Sequence, residues 1–331
     1  MSRCAALIFS LPSLAALLAG TMASPSYAQQ VSLRVTGTAF GETAEIEVRD
    51  LSRETGAGAL NSAWTALVDA EAELRRFQEQ STGQPLRASA EVARLLVRTQ
   101  GFCRWSDGSM SGLGAPIYKL WDPRLAALPT PAALESAAEA ARCGRLTIDE
   151  KTGQVELLPG SAIDLRNFAR GWAIDRAADL LEGLGASDFE VQIGNLVRAA
   201  GPGPGGRGWP FPLPKFAQLT DPLGTLLLRD QSVAIADPTE APFRIAGETH
   251  SRYIDLRSGR PSTGVAGVVV VSELAVDAEP LATAMAVFGA NAGQMRLGTL
   301  RPKPAVLWIL GSPEAGAPVL ATSNWSSVRK Q

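Results

Sequence analysis

The sequence contains very little histidine, and this shortage excludes more chemistry than any other. His250 is the single histidine among 331 residues, so zinc sites built from several histidines are excluded. A Ser-His-Asp arrangement would need His250 itself. The chain has no Gly-x-Ser-x-Gly turn that would present a nucleophile to it.

The chain also lacks an excess of charge of either sign. It carries 31 Lys and Arg against 33 Asp and Glu, which gives a formal net charge of -2 at pH 7. Nucleic-acid binding needs many cations that face phosphates along one surface, so we predict no nucleic-acid partner. Apolar residues are abundant, at 46% with 7 Trp, which is typical of a folded protein with a large core.

Long apolar runs are missing beyond the first residues. Arg3 precedes the apolar run Cys4–Ala19, and the small residues of Ser26–Ala28 follow at the spacing that signal peptidase cleaves. The run is at the short end of the roughly 20 residues that cross a bilayer. We therefore predict a secretory signal peptide over 1–28. A single domain over 29–331 without a transmembrane helix then lies in an exported compartment, the periplasm.

Cysteine is scarce as well. After removal of the predicted signal peptide, Cys103 and Cys143 remain. They could form a disulfide in an oxidising compartment or remain two buried thiols. Sequence spacing does not decide between these alternatives, because a disulfide requires that the two Cα atoms lie within roughly 7 Å.

Strand and helix patterns are mixed without a regular β-α-β alternation, which indicates an α+β fold. Hairpins are predicted over 31–49, around Gly41-Glu42, and over 146–158. Helices are predicted over Leu60–Phe77, Glu91–Phe102, Pro131–Ala141 and Phe168–Leu184. Further strands are predicted over Ala162–Leu165, Phe189–Ile193, Leu223–Leu228, Ser232–Ile235, Phe243–Ile245, Val265–Val271, Ala305–Ile309 and Val319–Thr322.

Two local patterns carry more specific expectations. Gly201–Pro214 is so rich in Pro and Gly that we expect a surface loop, and it could act as a lid. Asn167 stands where it could cap the helix that begins at Phe168. Asp175 and Arg176 are expected on an exposed face of that helix.

An acidic and a hydroxyl side chain lie one helical turn apart near the C-terminal third of the chain. Glu279 and Thr283 are four residues apart, so both could face one cation. Mg²⁺ binds a carboxylate together with neutral oxygens, water and phosphate. The alternative is a capped surface helix that buries Ala282, Met285 and Phe288.

Four segments, taken in chain order, resemble those of one family, the FAD:protein FMN transferases, also called the ApbE family. They are Asp107–Trp121, Ile163–Asp175, Tyr253–Pro261 and Ala278–Met285. The resemblance extends from Thr36 to Thr322. It implies a two-layer fold related to the T-fold, with a flavin site between two halves and FAD as substrate.

The resemblance also implies ligands for Mg²⁺ and for FAD. Asn167, Glu279 and Thr283 match the metal-binding positions, with Glu279 where the family has Asp. Asp164 and Arg170 match positions that contact FAD, and Arg170 stands where the family has Lys. An arginine keeps the positive charge and can bind a phosphate through two hydrogen bonds.

Other flavin contacts match in spacing and differ in identity. Ser109, Met110 and Ser111 lie where the family has Ala-Phe-Asp, and Met packs adaptably against flat rings. Thr36 replaces a Met of the family's N-terminal Met-Gly-Thr. Ile254 keeps a position that touches FAD.

The largest departure concerns the family's histidine, which is Arg252 in this chain. His250 lies two residues earlier and would point to the same side if this segment were a strand. Arg252 and His250 are therefore the two candidate catalytic residues, and the group that removes the hydroxyl proton stays open.

The resemblance predicts Mg²⁺-dependent transfer of FMN from FAD to a Ser or Thr hydroxyl of an exported flavoprotein, with release of AMP. Two alternatives remain. The protein could bind flavin without catalysis, or it could be an FAD pyrophosphatase that uses water as acceptor.

Overall fold

Alternating apolar and polar residues build the first hairpin of the structure. Leu33–Ala39 and Glu42–Val48 pair antiparallel, and Phe40 and Gly41 form the turn with φ angles of 53° and 74°. The positive φ suits Gly41 because glycine has no Cβ. This computed structural model describes residues 32–80, 86–125, 127–217, 219, 221–240, 242–311, 319–328 and 330.

The described residues form the following elements. The strands are β1 (Leu33–Ala39), β2 (Glu42–Val48), β3 (Leu86–Arg87), β4 (Leu146–Asp149), β5 (Gln154–Leu157), β6 (Phe189–Ile193), β7 (Leu196–Ala200), β8 (Trp209–Pro212), β9 (Thr225–Leu228), β10 (Gln231–Ala236), β11 (Phe243–Ile245), β12 (Glu248–His250), β13 (Ile254–Asp255), β14 (Arg260–Pro261), β15 (Val265–Ser272), β16 (Ala305–Leu310) and β17 (Val319–Ser323). The α-helices are α1 (Arg53–Gln80), α2 (Ala90–Trp105), α3 (Ala115–Leu120), α4 (Pro131–Ala140), α5 (Ala169–Gly183) and α6 (Ala275–Leu297).

One antiparallel sheet of eight strands organises the molecule, in the order β1-β2-β6-β7-β10-β15-β16-β17. Its inner strand β15 is buried on both faces. Val268 and Val270 pack with the helices, while Val269 and Val271 pack with the opposite layer. A strand covered on both sides reads as a continuous apolar run, as β15 does.

The helical layer places the N-terminal ends of α5 and α6 side by side. Helices α1, α5 and α6 share one hydrophobic core with the sheet. Gly171 of α5 approaches α6 so closely that an added Cβ would lie 2.4 Å from the carbonyl oxygen of Ala275. Glycine at this position therefore sets the distance between the two helices.

A smaller core lies beside the site. Helices α3 and α4 and the hairpins β11-β12 and β13-β14 contribute to it. Ile117, Trp121, Leu134 and Ile254 are buried in this cluster. Ile254 reaches from it into the cavity described below.

The predicted α+β fold is confirmed, and so are most element positions. The Phe189–Ile193 strand has the predicted bounds, and Thr130 caps α4 through its side chain as the Thr-Pro pattern indicates. Helix α1 is longer than predicted and begins at Arg53. The predicted strand Ala162–Leu165 is wrong, because this segment makes only an isolated bridge from Asp164 to Leu113.

The prediction of a surface loop over Gly201–Pro214 is wrong for Trp209–Pro212. The segment contains β8, which pairs antiparallel with β9. Trp209 and Phe211 are buried against the sheet, while the two prolines between and after them are exposed. Proline is tolerated here because β8 lies in a two-stranded sheet, where its missing N–H faces no partner strand.

Cys103 and Cys143 form a disulfide with a Cα–Cα distance of 5.7 Å. Of the two alternatives that the sequence left open, the structure shows the disulfide. The bond closes a loop with a sequence separation of 40 residues, which carries α3 and α4.

The predicted signal peptide, 1–28, lies outside the described residues. Val31–Gln331 groups into one compact unit. Among the described helices, none combines the length and the apolar character needed to span a membrane.

Candidate functional site

Helices α5 and α6 each cap the N-terminal end of the other. The carboxylate of Asp175, on α5, accepts hydrogen bonds from the backbone N–H groups of Ala275 (3.1 Å) and Val276 (2.9 Å) at the start of α6. The carboxylate of Glu279, on α6, accepts one from the N–H of Gly171 (3.0 Å) in the first turn of α5. Both carboxylates satisfy N–H groups that have no partner within their own helix.

The expected exposed position of Asp175 is therefore wrong. Its side chain is buried, and burial raises its pKa, although Arg198 at 2.9 Å and the two N–H groups of α6 oppose this. The neighbouring Arg176 does lie partly exposed and pairs with Glu73 and Glu91. The prediction of an exposed side chain is therefore wrong for Asp175 only.

Arg170 joins two carboxylates from different parts of the chain. Its Nε donates to Glu279 at 2.8 Å, and its Nη1 donates to Glu42 at 2.7 Å. Glu42 comes from the first residue of β2, next to the turn of the first hairpin. The bridge therefore fixes the hairpin, α5 and α6 relative to one another.

Burial raises the pKa of Glu279, and Arg170 and the N–H of Gly171 offset this only in part. The same burial opposes the charge of Arg170, but the carboxylates of Glu279 and Glu42 more than compensate and raise its pKa. Glu279 accepts two hydrogen bonds, from Arg170 and from the N–H of Gly171, as a carboxylate does.

A cavity of about 260 Å³ opens beside this bridge. Residues from the first hairpin, α3, α5, β10, β13 and α6 line it. They are Phe40, Glu42, Tyr118, Arg166, Asn167, Ala169, Arg170, Ala234, Ile235, Arg252, Tyr253, Ile254, Glu279 and Thr283. The structure therefore brings six sequence-predicted site residues, Asn167, Arg170, Arg252, Ile254, Glu279 and Thr283, to one cavity.

Asn167 does not cap α5, contrary to the expectation. The N-cap position is Phe168, and no side chain of that residue caps the helix. The Asn167 amide instead donates to the hydroxyl of Tyr118 at 2.9 Å. This bond orients the Asn167 amide in the cavity. The N-terminal end of α5 is capped by the Glu279 carboxylate instead.

A second cavity of about 450 Å³ shares Tyr118, Arg166, Arg252 and Ile254 with the first. Asp164 lines the second cavity, where its carboxylate holds Arg166 through Nε (3.0 Å) and Nη2 (2.7 Å). The Arg166 guanidinium lies 3.9 Å from the centre of the Tyr118 ring. Tyr118 and Arg166 therefore stand at the junction of the two cavities.

Four other predicted flavin contacts lie elsewhere. Ser109, Met110 and Ser111 are buried, and the backbone carbonyl of Ser109 accepts a hydrogen bond from the N–H of Leu256 at 3.3 Å. Thr36 is exposed on β1 and bonds Glu45. None of the four is among the described residues that line either cavity.

The two candidate catalytic residues are separated. Arg252 is exposed and lines both cavities. Strand β12 ends at His250, so the alternation expected from His250 to Arg252 does not continue. His250 packs against Trp121 and Phe243, with ring centres 5.1 and 5.9 Å away, and lines neither cavity.

The donor groups of the smaller cavity fit a hard divalent cation. Glu279 offers a carboxylate, Thr283 a hydroxyl and Asn167 an amide oxygen, which are ligand types that Mg²⁺ accepts. Each oxygen of Glu279 accepts one hydrogen bond and keeps a second acceptor direction. Mg²⁺ is therefore compatible with the residues present.

Sequence reasoning missed several lining residues. The site also contains Glu42, Arg166, Tyr118 and Tyr253. The residues that neighbour Glu42 in the sequence form no pattern that indicates a function for it. Burial raises the pKa of Tyr118 and of Tyr253 to about 12. The Asp107–Trp121 resemblance could have drawn attention to Tyr118, because that segment contains it.

A larger cavity, of about 960 Å³, lies beside the disulfide and is lined by Cys103, Cys143, Arg104, Arg142 and Arg257, among others. None of the predicted site residues lines it. The volume of a cavity therefore does not identify the functional site in this molecule. The smaller cavity is the candidate site because six predicted site residues line it.

Comparison with known proteins agrees with the resemblance. The chain is similar to the FAD:protein FMN transferase of Haemophilus influenzae, at 26% identity over 230 residues, which are 66% of this chain and 66% of that protein. It is also similar to the FAD:protein FMN transferase of Vibrio cholerae, at 26% identity over 238 residues, which are 67% and 68% of the two chains.

Solved structures share the fold. The ApbE protein of Thermotoga maritima superposes with a TM-score of 0.77 at 19% identity, over 90% of this chain and 98% of that one. The flavin transferase ApbE of Vibrio cholerae gives a TM-score of 0.74 at 20% identity, over 90% and 98%. A profile described as the ApbE family matches residues 35–308. Together with the arrangement of the site, this match shows that the chain belongs to the ApbE family.

Proposed function

We propose that this protein transfers FMN from FAD to a Ser or Thr hydroxyl of an exported flavoprotein, with AMP as the leaving group. The observation that carries the proposal is the convergence of Asn167, Arg170, Glu279 and Thr283 on one cavity. Asn167 and Arg170 lie at the start of α5, and Glu279 and Thr283 lie one helical turn apart in the first half of α6. The names of the relatives from Haemophilus and Vibrio support the same activity.

In this proposal Arg170 binds the diphosphate of FAD. Its guanidinium is held at two points, by Glu42 and Glu279, so it can stabilise charge without reorganising. Arg252 adds a second cation at the exposed side of the cavity. An arginine has no acceptor, so Arg252 contributes charge and does not take the proton that the family's histidine could take.

Asn167, Glu279 and Thr283 would hold Mg²⁺. When bound, this ion would supply charge neutralisation to the diphosphate. The hydrogen bond from Asn167 to Tyr118 orients the amide ligand, and the N–H of Gly171 orients the carboxylate. Such supporting hydrogen bonds strengthen metal binding.

We also propose that the protein works in an exported, oxidising compartment, which for this chain is the periplasm. The Cys103–Cys143 disulfide supports this, since such bonds persist outside the reducing cytosol. The apolar N-terminal run of the sequence is consistent with export.

The proposal is tested by incubating the protein with FAD, Mg²⁺ and a candidate acceptor flavoprotein. Transfer predicts covalent FMN on the acceptor, detected by mass spectrometry, together with an equal amount of AMP. Free FMN and AMP without labelled acceptor would indicate a pyrophosphatase. FAD that stays intact and bound would indicate a non-catalytic flavin carrier.

A further inference from the structure

Transfer of FMN to a hydroxyl releases a proton, and the cavity must provide a group that accepts it. This inference rests on the proposed function. The sequence does not identify this proton acceptor, because Arg252 occupies the position of the family's histidine. The side chains that line the cavity reduce the number of candidates for the proton acceptor.

Most ionisable side chains of the cavity are unsuited to this role. Burial keeps Tyr118 and Tyr253 protonated, with pKa values of about 12. The arginines offer no lone pair. His250 packs against Trp121 and Phe243 and lines neither cavity.

Two carboxylates remain among the described residues that line the cavity, and their surroundings differ. The Glu279 side chain is 4% exposed, and its two oxygens accept bonds from Arg170 and Gly171. The Glu42 side chain is 39% exposed, and one of its oxygens accepts a hydrogen bond from Arg170. Glu279 therefore belongs to the contact between the ends of α5 and α6, whereas Glu42 is partly exposed at the cavity.

The backbone opposite Glu42 makes room for its carboxylate. A Cβ added to Gly194 would lie 1.7 Å from Oε2 of Glu42 and 3.6 Å from Nη1 of Arg170. Any larger residue at this turn between β6 and β7 would displace the acid. The charged groups that face Glu42 are Arg170 and, across it, Glu279.

We propose that Glu42 is the general base of the transfer. Its carboxylate takes the proton of the acceptor's Ser or Thr hydroxyl as the hydroxyl oxygen forms a bond to the phosphorus of the FMN moiety. The bond from that phosphorus to the bridging oxygen of the diphosphate breaks, and both of its electrons leave with AMP. Glu42 then returns the proton to water.

Glu42→Gln tests this role because the amide can still accept the hydrogen bond from Arg170 but cannot take a proton. We expect kcat for FMN transfer to fall by about 10²- to 10⁴-fold, the usual contribution of a general base. The KM for FAD should stay nearly unchanged, because the cavity keeps its shape. Glu42→Asp, with the carboxylate one methylene further away, should show an intermediate kcat.

Two further variants separate a base from a structural residue. Glu42→Ala should recover part of its kcat when formate is added, since a small carboxylate can occupy the vacated space. Gly194→Ala should lower kcat by displacing Glu42, and it should cause little further loss in the Glu42→Gln background. Glu45→Gln, which removes a carboxylate from the same hairpin outside the cavity, is the matched control and should keep wild-type kcat.

FAD binding, followed by fluorescence in every sample, shows whether each variant is folded. If Glu42→Gln transfers FMN at the wild-type kcat, or if only its KM rises, Glu42 is not the base. Absence of rescue by formate would also overturn the role. A wild-type protein that binds FAD and never labels an acceptor overturns the proposed function as well, so the two failures are distinguishable.

Discussion

At the scale of single residues, Arg170 links three elements at the site, which are the first hairpin, α5 and α6. It contacts Glu42 from the first hairpin and Glu279 from α6, while it belongs to the first turn of α5 itself. Its side chain is 17% exposed, so the two ion pairs lie in a region of reduced screening. Loss of one partner would leave the Arg170 guanidinium with a single carboxylate, and loss of both would leave a largely buried charge unpaired, which is costly.

The proposed metal site predicts the effect of Thr283→Val, which removes one oxygen and keeps the side-chain shape. We expect the Mg²⁺ concentration for half-maximal transfer to rise by about 10- to 100-fold, the range seen when groups around a metal are altered. Titration of activity with Mg²⁺ measures this. Thr65→Val is the control, because Thr65 makes the same i to i-4 hydroxyl bond on an exposed face of α1. Equal Mg²⁺ requirements in both variants would remove Thr283 from the ligands.

Glu190 gives a prediction for pH. It lies directly across from Glu47 in the sheet, and burial together with Glu47 and Glu45 raises its pKa to about 7 from 4.5. The native state therefore keeps this proton up to a higher pH than the unfolded state does. The contribution of Glu190 to stability is lost as the pH rises from about 4.5 to about 7.

Glu190→Gln removes this titration. At pH 8 the variant should be more stable than the wild type by about 1–3 kcal/mol, and near pH 4.5 the difference should vanish. Urea unfolding at both pH values measures it. Glu54→Gln, at an exposed position of α1, should show no such dependence. A difference that is equal at both pH values would contradict the shifted pKa.

At the scale of secondary-structure elements, the contact between α5 and α6 sets the geometry of the site. Gly171 lets the helices approach, and its N–H binds Glu279. Gly171→Ala would bring a Cβ within 2.4 Å of the Ala275 carbonyl oxygen, so the helices must shift. We expect a loss of about 1–3 kcal/mol in the free energy of unfolding, the usual cost of overpacking, and a lower transfer rate.

The control is Gly183→Ala in the same helix, where an added Cβ meets nothing within 4 Å. This change should alter the free energy of unfolding by less than about 1 kcal/mol, and alanine's higher helix propensity favours a gain. Denaturant unfolding and FMN transfer should be measured on both variants. Similar values for the two would mean that the helix contact tolerates a methyl group.

At the scale of the whole molecule, the disulfide connects α2 with the segment before β4 and closes the loop that carries Tyr118 and Trp121. A closed loop of this length is worth about 2–4 kcal/mol. Reduction, or the Cys103→Ala/Cys143→Ala double variant, should lower the free energy of unfolding by that amount. Urea unfolding with and without a reductant measures it. The double variant should not respond to the reductant.

The sequence predicted those parts of the molecule whose causes are local. Thr130-Pro131 starts α4, and alternation fixes the first hairpin, because capping and strand periodicity depend on neighbouring residues. The motif around Glu279 and Thr283 also identified two residues that share a cavity. Glu279 and Thr283 are four residues apart on one helix, so their side chains lie on the same face.

Long-range contacts could not be predicted in this way. Asp175 is buried because its partners are N–H groups 100 and 101 residues further along the chain. Glu42 is held at the cavity by a hydrogen bond from Arg170, which is 128 residues away in the sequence. Trp209 and Phe211 make a strand out of a Pro/Gly-rich segment because the sheet offers them an apolar face.

The mutual capping of α5 and α6 has a consequence for protein engineering. If either helix were moved alone into another protein, its carboxylate would lose the N–H groups that it binds. The N–H groups at its own N-terminal end would lose the carboxylate that binds them. The two helices can therefore be transferred only as a pair.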